Sequence, residues 1–224
     1  MPTRKKLAAY TLPMLTFIAF LALVSLLHKI DNHIWLVRSE YWVYPLQTVV
    51  CALLLVRFWP EYAFGRPKAA LIGILIGVAV LVLWISPQIF FQSPARLEGF
   101  NPNFFAGQPA LYWSTVVFRF LRLVVVVPLL EEVFWRGFLL RYFIDENFER
   151  VPIGTFSWFS FAAVTLAFGF SHSQADWIAA ILTGMLYNAV AYWSKSLSTC
   201  ALAHALTNFL LGLWIMRTQQ WGFW

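Results

Sequence analysis

Apolar runs of about 20 residues recur along this chain, and nothing in the sequence constrains its fold more. A helix that crosses a bilayer needs about 20 apolar residues at roughly 1.5 Å each. Seven stretches meet or approach that length, at 7–27, 42–59, 69–86, 114–143, 156–172, 175–193 and 197–216. Only 12% of the 224 residues are charged and 61% are hydrophobic, too few charges to clothe a soluble domain. The sequence therefore predicts an all-α fold: a polytopic transmembrane helix bundle of about seven spans, forming a single integral-membrane domain over 1–224.

The polar residues fit that frame. Arg4, Lys5 and Lys6 precede the first run, Arg57, Arg66 and Lys68 lie between the second and third, Arg141 and Arg150 follow the fourth, and Lys195 precedes the seventh. Alternating spans put all of them on one side, which predicts a cytoplasmic N-terminus and an external C-terminus. The first run is too long for a signal peptide and lacks a small-x-small cleavage site. The net charge of +6 thus reports membrane orientation, and no nucleic-acid partner is expected. Cys51 and Cys200 both fall in apolar runs, so they make neither a disulfide framework nor a Cys-rich metal site. Trp42 with Trp59, and Trp177 with Trp193, sit at run ends as an aromatic belt would. Gly73 and Gly77 make a GxxxG suited to close helix packing.

One run departs from the pattern. VVVVPLLEEVFWRGFLL, residues 124–140, places Glu131, Glu132 and Arg136 in an otherwise apolar helix. An ionisable group at that depth costs several kcal/mol unless it is paired or wetted. Glu132 and Arg136 are four apart, share a face and are expected to form a structural ion pair. Glu131 is turned about 100° from Glu132 and about 140° from Arg136. It must find its partner on another helix or in water. Arg119 and Arg122 are expected to snorkel at the outer end of the same run, the alternative being that they meet a substrate carboxylate.

Of four histidines, His28 and His33 lie in a polar loop and are given no role. His172 ends the fifth run and His204 lies within the seventh, four residues before Asn208. These types describe a chemistry. A carboxylate withdrawn from water is a stronger base, so Glu131 with His172 could hold and deprotonate one water. His204 and Asn208 supply hydrogen-bond donors for a developing oxyanion. Base, water and oxyanion donors together describe amide hydrolysis.

EEVFWR fits an EExxxR signature, FGFSH an FxxxH signature and HALTN an HxxxN signature, in that order on three apolar runs. In this the chain resembles the CPBP (CAAX protease and bacteriocin-processing, or Abi) family and is similar to its type II CAAX prenyl endopeptidases. The resemblance covers residues 131 to 208, within a motif-bearing core of about 114–216. It implies an intramembrane endopeptidase of the glutamate-activated-water type. On this chain Glu131 is then the base, His172 its partner in holding water, Glu132 the partner of Arg136, and His204 with Asn208 the oxyanion site. It implies no cofactor and no metal. It also implies a peptide or protein substrate, lipid-modified or membrane-bound, and a multi-pass location in a bacterial cytoplasmic membrane. Members often have eight spans, and the connection 87–113 is where an eighth would lie.

Three other chemistries use the same residues. Glu131, His172 and His204 carry ligand types that suit zinc, although no HExxH helix is present. Cys200, His204 and Asn208 follow one another at four-residue spacing, as a cysteine enzyme on one helix face would require. A transporter, immunity factor or scaffold would keep the polar cluster for ion passage or assembly.

Overall fold

The computed structural model describes residues 2–30 and 33–224. Seven long helices carry the fold: α1 (Arg4–Leu27), α2 (Glu40–Phe58), α3 (Ala70–Phe90), α4 (Pro109–Tyr142), α5 (Trp158–Phe170), α6 (Trp177–Ser194) and α7 (Leu197–Thr218). A single turn, Ile34–Val37, lies between the first two, and no strand forms among the described residues. Hydroxyl caps set several starts. Thr3, Ser157 and Ser196 accept backbone N–H groups from the first turns of α1, α5 and α7.

Each helix falls on one of the seven apolar runs, but not all are membrane-length. Five are long and apolar enough to cross a bilayer: α1, α2, α3, α4 and α7. Helix α5 has 13 residues, about 20 Å of helix, and stops where Ser171, His172 and Ser173 interrupt the apolar run. Helix α6, at 18 residues, is diluted by Thr183 and Asn188 and is not among the five. The connection 87–113 holds no further spanning helix. It contains the end of α3, the short turn Pro102–Phe105 and the start of α4, five residues earlier than the apolar run predicts.

Contacts at the helix ends tie the bundle together. At one end Lys5 and Lys6 pair with Glu61, the Thr199 hydroxyl donates to Lys68 O at 2.7 Å, and Arg141 reaches Val151 O at 3.2 Å. The basic clusters that the sequence assigns to a common side meet there. At the other end Arg96 pairs with Asp176 at 2.6 Å. Gly73 and Gly77 press α3 against α7. A Cβ on Gly77 would lie 2.7 Å from Ala203 O, so only a glycine lets the two backbones approach this closely.

Two features of α4 were not foreseen. Its middle is wound in two π-helical segments, Leu121–Val126 and Val133–Leu139, on either side of the α-helical turn that carries both acids. π segments of this kind gather at functional sites. Arg119 and Arg122 do not snorkel: both are buried, under aromatic rings from α2, the 87–113 connection and the C-terminal segment. Snorkelling needs an open path to the interface, and here Tyr44, Phe100 and Trp224 close it.

Candidate active site

A cavity of about 210 Å³ opens inside the bundle, and Glu131, His172, His204 and Asn208 all line it. The four groups proposed from sequence thus come from α4, the end of α5 and α7 to share one space. Trp84 of α3, Thr183 and Tyr187 of α6 and Thr207 of α7 add to the polar part of its wall.

The two acids differ as their helical phase requires. Glu132 and Arg136 are fully buried, and Arg136 Nη1 donates to Glu132 Oε1 at 3.1 Å. The same oxygen meets His204 Nδ1 at 2.9 Å. Arg136 also donates to Asn188 Oδ1 at 3.0 Å and to Gly184 O at 3.3 Å, while Phe168 and Tyr187 cover its face. Glu132 Oε2 is buried without a partner. Glu131 is only half-buried and lines the cavity. Among the described residues, both hydrogen bonds received by this acidic pair fall on Glu132.

The imidazoles are held in matching ways. His172 Nδ1 lies 2.9 Å from Phe168 O, which can only accept. Nδ1 therefore carries the proton, and Nε2 keeps its lone pair. The Phe168 ring packs on His172 with centroids 4.9 Å apart, and Trp84 flanks it at 5.8 Å. The indole of Trp84 is fixed in turn by the Thr183 hydroxyl at 2.9 Å. This accounts for the FxxxH spacing: one residue provides both the carbonyl and the ring that seat the histidine one turn later. His204 gives its Nδ1 proton to the Glu132 carboxylate, which leaves Nε2 as its free ring nitrogen. Its ring lies against Tyr187, with centroids 5.1 Å apart. The Tyr187 hydroxyl donates to Thr207, whose hydroxyl donates to Gly77 O, both at 2.8 Å.

Asn208 owes its placement to the winding of α4. In the first π segment the Val127 N–H bonds Arg122 O, five residues back. The next carbonyl, Leu123 O, should receive the N–H of residue 128, but that residue is Pro128, which has none. Asn208 Nδ2 fills the vacancy at 2.8 Å. One amide hydrogen of Asn208 is thereby committed and the other is not.

Two contacts lay beyond sequence reasoning. Glu132 was expected to serve Arg136 alone, yet it also holds His204, 72 residues away. Nothing local signals that pairing. Asn188, Thr165 and Thr207 were also missed, though polar groups in apolar helices are a general pointer to such networks. Asn188 links Arg136 to the Thr165 hydroxyl at 3.1 Å. Cys200 is buried and is not among the cavity-lining residues, so the cysteine alternative finds no nucleophile at the site. No three His, Cys, Asp or Glu side chains among the described residues are grouped to hold a metal ion, so the zinc alternative gains no support from this geometry.

No curated protein and no solved structure matches the chain. Residues 113–210, the part of the chain that bears all three signatures, match the family model described as type II CAAX prenyl endopeptidase Rce1-like.

Proposed function

We propose that this protein is an intramembrane endopeptidase in which Glu131 activates water against a peptide bond. The observation that carries the proposal is the single cavity shared by Glu131, His172, His204 and Asn208. Water held between the Glu131 carboxylate and His172 Nε2 loses a proton to Glu131 as its oxygen adds to the scissile carbonyl carbon. The new oxyanion is met by the uncommitted Asn208 N–H and by Nε2–H of His204 in its imidazolium form. Glu132, on the other ring nitrogen, fixes the orientation of that ring. When the tetrahedral species collapses, the C–N bond breaks and the proton on Glu131 passes to the departing amine. Glu132 and Arg136 thus position His204 and do not touch substrate. The family match points to a substrate with a prenylated cysteine near its C-terminus.

The test is hydrolysis of a farnesylated peptide ending in a CAAX sequence, followed by mass spectrometry. We expect wild type to cleave it and Glu131→Gln to lose about 10²–10⁴-fold in rate. A Glu131→Gln protein as active as wild type would overturn the proposal, and with it the role of Glu131 as base.

A further inference from the structure

Arg119 is the one buried guanidinium in the cavity region with no anion or carbonyl to receive its N–H groups among the described residues. It is 5% exposed, and its Nε and Nη1 are buried without hydrogen-bond partners. Its charge faces only the rings of Phe100 at 4.8 Å, Tyr44 at 5.5 Å and Trp224 at 5.6 Å. Beside it the Trp224 indole Nε1 is also buried and unpartnered. Arg119 and Trp224, each with unused donors, both line one small void together with Asn208. Buried donors are almost always satisfied, and a group of them left open marks a ligand, ion or water.

Charge decides among these. Arg122, three residues along the same helix, is a second buried guanidinium, and it donates Nε to the neutral Gln47 at 2.7 Å. Glu132 is already engaged by Arg136 and His204. Among the described residues that leaves Glu131, which lies within charge range of Arg122, as the carboxylate for two cations, and the cluster is short of one negative charge. A water would fill the void without correcting that deficit.

We infer that Arg119 and Trp224 form a carboxylate-binding subsite of the active site, which receives a carboxylate of the peptide substrate. The void shares Leu123, Asn208, Gly212 and Trp224 with the catalytic cavity, so it adjoins the space in which a peptide would lie across Glu131. Arg119 is 12 residues from Glu131, about 18 Å along an α-helix, a span that a few residues of extended chain cover once the side chains reach towards it. As it stands the void is smaller than a water molecule, so binding requires the Trp224 indole to move aside.

The inference rests on the proposed endopeptidase activity, and the experiment separates the two. The farnesylated CAAX peptide is offered as its free acid and as its C-terminal carboxamide, to wild type, Arg119→Lys and Arg119→Gln. For wild type we expect KM for the acid to be at least tenfold below that for the amide, with kcat altered much less. The acid-over-amide preference should shrink in Arg119→Lys and vanish in Arg119→Gln. Arg119→Lys keeps the charge and guards against misfolding of the glutamine variant. Wild type that cleaves both forms with equal KM overturns the subsite and leaves the endopeptidase standing. So does a preference that survives in Arg119→Gln. Cleavage of neither form by any variant overturns the activity, and the subsite falls with it.

Discussion

At the scale of single residues, two adjacent glutamates have been given opposite tasks by one step of helical rotation. Glu132 points into a dry network, where it balances Arg136 and holds His204. Glu131 faces the cavity. Their conservative variants should separate accordingly. Glu132→Gln leaves Arg136 as a fully buried charge without a counter-ion. Breaking a buried pair in this way costs about 3–5 kcal/mol. Glu131→Gln breaks no such hydrogen-bonded pair and should cost clearly less than Glu132→Gln. Denaturant unfolding in detergent measures both. A Glu131→Gln protein that loses stability while Glu132→Gln keeps it would reverse the division between the acids.

At the scale of elements, the functional helix is defined by where it stops being an α-helix. Pro128 lacks the N–H that Leu123 O needs, and Asn208 of α7 supplies one. A backbone deficiency in α4 therefore fixes a side chain from another helix at the cavity wall. Asn208→Ala should strand a buried carbonyl and cost about 1–3 kcal/mol. Pro128→Ala restores the missing donor, so the same Asn208→Ala change should cost less in that background. A double-mutant cycle should show a coupling of at least about 0.5 kcal/mol, and additive effects would sever the link drawn between the proline and the asparagine. The sequence announces the helices because lipid imposes a length, and apolar runs report length directly. It announces the three signatures because residues four apart share a face. It is silent on the π winding, on the Glu132–His204 bond and on the burial of Arg119, because each depends on residues distant in sequence. The snorkelling expectation failed for that reason: local spacing places an arginine near an outer helix end, but it does not reveal that Tyr44, Phe100 and Trp224 will cover it.

At the scale of the whole molecule, the site draws on both halves of the chain. The motif-bearing helices α4, α5 and α7 supply the four polar groups, while Phe17 of α1 and Trp84 of α3 close the cavity. Gln47 of α2 joins the halves, donating to Phe17 O at 2.8 Å and accepting from Arg122 at 2.7 Å. A site assembled this way should unfold as one unit with its bundle, because loosening α1 and α2 would expose Arg122 and open the cavity. Two natural reporters test this. Cys51 lies on α2, buried against α1, and Cys200 is buried at the start of α7. In the folded protein both thiols should resist a maleimide. Through a denaturant titration in detergent they should become reactive at the same midpoint, which should coincide with global loss of helix. Labelling of Cys51 well before Cys200 would show that α1 and α2 open as a separate unit. The cavity would then be a property of the α3–α7 bundle, and the first 60 residues a detachable cover.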